Sequence, residues 1–158
     1  MPGNIHIATI GKPHGIKGAM SIVAKTRPQA IIFSHSLFLE DGTSFDVSQF
    51  DTYHTKVVCW SSSVEDRTQA EKMRMSKLYC DRDSFFQSHP EQIFDDLCEG
   101  YQVLAEDGLQ IGLVNYVEFI NNIPFLIVTN DTQTLHLPAN IQHIDHIHMT
   151  LQLNYQPL

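Results

Sequence analysis

The chain has 158 residues, 42 % of them hydrophobic, and carries 10 basic against 18 acidic side chains for a formal charge of −8. That length makes one ordinary domain or two small ones, and that apolar share argues against a disordered chain. The acidic balance argues against a broad nucleic-acid-binding face, which needs Lys and Arg to neutralise phosphates, and suits a basic partner or plain solubility. Cys59, Cys80 and Cys98 are widely spaced, odd in number and form no C-x-x-C, which points to a reduced, intracellular setting. No stretch reaches the roughly 18 apolar residues of a membrane span, and MPGNIHIATI has no basic start before a long apolar run. The expectation is a cytoplasmic chain with no membrane partner.

In chain order, NIHIATIG from Asn4 reads as a strand that can be covered on both faces, and AMSIVAKT from Ala19 as a second. Between them lies IGKPHGIKGAM, rich in glycine and lysine. LFLEDGTSFDVSQF is a hairpin on Asp41-Gly42, and KVVCW another strand. SSSVEDRTQAEKMRMSK predicts a helix, with Ser63 as N-cap, Asp66 three residues on, and Ala70 and Met73 on one face. KLYC returns to strand. Residues 82–94, polar and broken by Pro90, read as a linker. Beyond it come a second hairpin on Glu106-Asp107-Gly108, a third around Asn130-Asp131-Thr132, and a closing strand in IHMTLQLNY. The predicted class is all-β: two small β-barrels in tandem, residues 1–81 and 95–158, around the linker.

Several chemistries fail on spacing. A P-loop starting at Gly11 needs its second glycine where Ile16 stands, Pro13 removes an amide, and a strand follows instead of a helix. The loop is therefore a tight connection between strands, where glycine permits unusual backbone angles. His143, Asp145, His146 and His148 are dense, yet on a strand His146, His148, Thr150 and Gln152 simply fill the polar face. No cysteine pair or glutamate lies nearby to complete a metal site, and none is assigned. There is no G-x-S-x-G, and adjacent Asp95 and Asp96 would point to opposite faces of a strand, so no catalytic residue is assigned. Phe85, Phe86, Ile93 and Phe94 lie in the polar linker; they either pack in a core or between the barrels, or anchor a protein partner.

IGKPHGIKGAM resembles the N-terminal signature of the ribosome maturation factor RimM family, a strand ending in G-K-x-H-G-[IL]-[KR]-G. VEDRTQAEKMRMSKLYC resembles the same family's V-x-D-R-x-x-A-E-x-L-R-G-x-x-L-Y-V segment, with Met75 where a glycine usually closes the helix. EDGLQIGLVNYVEFINNIPFLIV followed by LHLP resembles its C-terminal PRC-type barrel. The resemblance implies a six-stranded N-terminal barrel with one helix and a PRC-type C-terminal barrel. It implies a non-enzymatic role in assembly of the 30S small subunit and processing of 16S rRNA, with no cofactor and no small-molecule substrate. It also implies two partners, the immature subunit and a basic protein of its head, the ribosomal protein numbered nineteen; the −8 charge suits such a partner. Lys12, His14 and Lys17 are the expected contacts to subunit or rRNA. Ile93 and Phe94, at the family's aromatic pair, and Tyr101 are the expected contacts to the ribosomal protein. The alternative is a PRC-type interaction module that works outside ribosome assembly.

Overall fold

The structure, a computed structural model, describes residues 3–53, 56–93 and 98–154. The chain divides into two compact units, Met1–His89 and Pro90–Leu158.

The first unit is built on β1 (Asn4–His14), which pairs antiparallel with β2 (Ala19–Ala24) and β7 (Lys77–Asp81). Its neighbouring residues Ile7 and Ala8 are both fully buried, at the register shift between β1 and β7 where Ile7 is the extra residue of a bulge. The remaining strands are β3 (Leu37–Leu39), β4 (Ser44–Phe45), β5 (Gln49–Tyr53) and β6 (Lys56–Trp60), giving the order β4-β3-β7-β1-β2-β6-β5. Laid flat, seven strands would hold their edges roughly 29 Å apart. Edge strands β4 and β5 are joined only by residues 46–48, which span at most about 14 Å from Phe45 to Gln49. The sheet must therefore curl until its edges approach, which makes it barrel-like. Ile10, Met20, Ile22, Val57 and Leu78 are buried and, by the strand register, share one face of it.

The same junction explains why there are seven strands, one more than the resemblance implies. The second arm of the Asp41-Gly42 hairpin breaks at Asp46, whose carboxylate accepts from the Ser62 amide and the Ser61 hydroxyl at 3.2 Å each. Its first part pairs with β3 and its second part crosses to β6.

The helix starts later than predicted. In α1 (Arg67–Met73) the cap is Asp66, not Ser63: its carboxylate accepts from the Gln69 amide at 2.9 Å, and the Gln69 side chain accepts from the Glu65 amide at 2.7 Å. A second helix, α2 (Arg82–Ser88), replaces the first half of the predicted linker. Asp81 caps it through the Ser84 amide at 2.9 Å, Phe85 and Phe86 are buried, and Arg82 lies 5.1 Å from the Phe86 ring centroid. Two helical turns carrying one apolar pair are too short to show a period, so the segment reads as linker by pattern alone.

The second unit is a sheet of β8 (Gln102–Leu104), β9 (Gln110–Ile120), β10 (Ile123–Thr129), β11 (Thr134–Pro138), β12 (Ile141–Asp145) and β13 (Thr150–Leu153), in the order β11-β10-β9-β8-β13-β12. Edge strands β11 and β12 are linked by Ala139 and Asn140, a reach of about 11 Å against roughly 24 Å across a flat sheet, so this sheet closes too. Val103, Val114, Val117, Leu126, Val128, Leu151 and Leu153 form its core.

The two Glu-Asp-Gly turns have one geometry. Gly42 and Gly108 take φ of 88° and donate to Leu39 and Ala105, while Asp41 and Asp107 accept from the amides of Thr43 and Leu109. Glycine is required because φ there is left-handed.

Candidate functional site: the β1–β2 hairpin

The glycine-rich stretch is mostly strand. β1 continues to His14 and β2 starts at Ala19, which leaves only Gly15–Gly18 as the turn. Ile10 faces Ile22 and Pro13 faces Met20, so Gly11 and Lys12 together oppose Ser21 in a bulge. The Ser21 hydroxyl donates to the Lys12 carbonyl at 2.9 Å and closes that bulge. A Cβ on Gly11 would sit 2.7 Å from the Ser21 Oγ.

The turn is clamped to the start of α1. Gly18, at φ 87°, packs so closely that a Cβ would lie 2.5 Å from the Val64 carbonyl oxygen. From the other side the Arg67 guanidinium donates to the Gly15 carbonyl at 2.9 Å. Held this way, Lys12, His14 and Lys17 all project into solvent, with Ile16 at 76 % exposure between them. The His14 ring stacks on Tyr53 at the end of β5, with centroids 5.5 Å apart and planes 28° from parallel. The three residues singled out from the sequence are thus brought to one hairpin. Arg67 and Tyr53 were not singled out. Arg67 lies within the family-like VEDRTQAE stretch, whereas no local pattern marks Tyr53.

The two described members of the other predicted set do not form a surface. Ile93 is 8 % exposed and Tyr101 is fully buried, and both belong to the core of the second unit together with Cys98, Val103 and Leu151. Neither offers contact area in this fold, because burying them completes a small core. Phe94, Asp95 and Asp96 lie outside the described residues. The Tyr101 hydroxyl meets His146 Nδ1 at 2.9 Å, and His146 Nε2 meets the Pro90 carbonyl at 3.1 Å. A carbonyl only accepts, so Nε2 carries a proton, and in the neutral ring Nδ1 then accepts from the tyrosine.

The histidine-rich segment is also not the strand face it was read as. His146 and His148 lie in the turn between β12 and β13. His148 Nδ1 pairs with Asp145 at 2.7 Å, and hydrogen bonds from the His148 amide and ring hold the Asp145 carboxyl below its ordinary pKa. Among the described residues no three His, Cys, Asp or Glu side chains gather where a metal could bind. The thiols of Cys59 and Cys80 are pushed up to about 12 by burial, which leaves them unreactive as nucleophiles.

Met75 follows α1 with φ of 72° and 73 % exposure, while its amide donates to the Ile10 carbonyl at 2.8 Å. A β-carbon in the left-handed region costs about 1 kcal/mol. Met75→Gly is therefore expected to raise the stability of the first unit by up to about 1 kcal/mol, less the extra freedom glycine gives the unfolded chain. Denaturant unfolding checks this; a lower midpoint in the variant would mean the turn is unstrained.

A family model described as the RimM N-terminal domain matches residues 5–85, the segment that contains the hairpin, α1 and most of α2. The Ribosome maturation factor RimM of Mesorhizobium japonicum is 30 % identical over 128 residues, covering 79 % of this chain and 64 % of that protein. That of Rickettsia felis is 29 % identical over 160 aligned positions, covering 96 % of this chain and 94 % of its own. A crystal structure of the RimM protein of Pseudomonas aeruginosa aligns over 97 % of this chain and 98 % of its own, at 14 % identity and a TM-score of 0.49. The chain spans 54 % to 64 % of the length of the first curated relatives it matches. By the match over residues 5–85, the chain belongs to the RimM family.

Proposed function

We propose that this protein is a ribosome maturation factor that acts by binding. It associates with the immature 30S subunit in the cytoplasm, assists 16S rRNA processing, and engages the basic head protein numbered nineteen. The curated relatives carry the name Ribosome maturation factor, which supports the general role. The observation that carries the reading is the hairpin itself. Its family-like residues are fixed by Gly18 and Arg67, yet Lys12, His14 and Lys17 face solvent. A segment held rigid and left uncovered is built for contact. On a chain of charge −8, a small basic tip confines phosphate contact to one place and leaves acidic surface for a basic protein.

The test is a pull-down of small-subunit precursors with Lys12→Glu/Lys17→Glu. Both side chains are exposed, so the thermal transition is expected to stay within a degree or two while subunit association falls at least ten-fold. Unchanged association would remove the two lysines as the contact, and no association from the wild type would favour an interaction module outside ribosome assembly.

A further inference from the structure

We propose that the first unit carries a stacking site for one unpaired RNA base, formed by Tyr53 and His14 and flanked by Lys12, Lys17 and Arg67. The inference rests on the subunit-binding reading and names the chemistry of its contact. The His14 and Tyr53 rings already stack at 5.5 Å and 28°, and neither is buried: Tyr53 is 44 % exposed and all five residues of β5 face solvent. Core packing therefore does not account for the pair. A stacked pair with an open outer face accepts a third π-system, and every nucleobase supplies one.

The surroundings supply the phosphate partners. Arg67 is tied to the Gly15 carbonyl within the same turn, Lys12 and Lys17 flank the hairpin, and exposed Lys56 pairs directly opposite Tyr53. Asp51 stands two residues before Tyr53 on β5, and Glu65 and Asp66 directly precede Arg67 at the start of α1. Asp51 accepts from the Thr52 amide and Asp66 is turned into the cap of α1. A base inside a duplex cannot reach such a platform, so the ligand is a single strand, loop or bulge. The rest of the acidic chain repels bulk RNA, which leaves this the local point of attachment.

The probe is a fluorescently labelled single-stranded oligoadenylate, followed by anisotropy at low salt with the full chain. Tyr53→Ala is expected to weaken binding roughly ten-fold or more without changing the salt slope, while Tyr53→Trp restores it. Lys12→Gln and Lys17→Gln are each expected to lower the slope by about 0.7 and to spare the preference for single strand over duplex. Tyr53→Ala binding like the wild type, equal affinity for duplex, or a basic peptide displacing the oligonucleotide from Tyr53 would each overturn the site. If Tyr53→Ala is silent while the double lysine variant still loses its subunits, the base site falls and the subunit reading stands. If Tyr53 is needed for the oligonucleotide but the wild-type chain captures no small-subunit precursors, the base site stands and that reading falls.

Discussion

Gly18→Ala is expected to destabilise the first unit by about 3 kcal/mol, or to displace the hairpin from α1 and abolish subunit association with it. Two costs add. At φ 87° a β-carbon is strained in any surroundings, which costs roughly 1–2 kcal/mol. That carbon would also lie 2.5 Å from the Val64 carbonyl oxygen and 3.1 Å from the Glu65 carbonyl carbon, both backbone atoms that cannot turn aside. Overpacking of this kind adds roughly 1–3 kcal/mol. Gly15→Ala is the control, because Gly15 has a similar φ of 76° with nothing within 4 Å of its Cβ position. It should show the backbone cost alone, roughly 1–2 kcal/mol. Denaturant unfolding of both variants separates the terms, and equal losses would mean that the contact with α1 is not tight.

Gly112→Ala in the second unit is expected to cost about 2–4 kcal/mol by a different route. Its φ is ordinary, but a Cβ would sit 2.4 Å from the Thr129 carbonyl oxygen and 2.9 Å from the Val128 Cγ1. The crowding lies beside the register shift between β9 and β10 at Val128, where Asn115 is the extra residue of a bulge, a feature that bends the strand carrying it. Glycine inside a strand commonly marks such an approach. Leu109, exposed at the nearby turn, makes a useful comparison: Leu109→Ala should change stability by less than about 0.5 kcal/mol. If the two substitutions cost the same, the bend is not crowded.

How far the sequence foretold this molecule depends on the range of the interactions concerned. The Asp41-Gly42 and Asp107-Gly108 hairpins were legible because a single residue with left-handed φ decides each turn. The Lys12, His14 and Lys17 cluster was legible because the three lie on one short hairpin. Contacts between distant segments were not. Arg67 reaches the Gly15 carbonyl across 52 residues, and His146 meets Tyr101 across 45. Nothing in the alternation around Ile93 or Tyr101 distinguishes an exposed aromatic anchor from a core residue; only closure of β8 against β13 settles it by burying Tyr101. The break at Asp46 has the same origin, since Ser61 and Ser62, which hold its carboxylate, lie beyond β6. Met75 was legible as a departure from the family pattern, and the structure shows the left-handed φ that the pattern's glycine would accommodate.

The most direct test of the hairpin as the surface that meets the small subunit is a chemical footprint on immature 30S particles. It would compare the wild-type chain with Lys12→Glu/Lys17→Glu under the same salt. The expected result is protection of a discrete patch of 16S rRNA by the wild type, lost in the variant although the variant remains folded. The same protection from both proteins, or none from the wild type at saturating concentration, would contradict it.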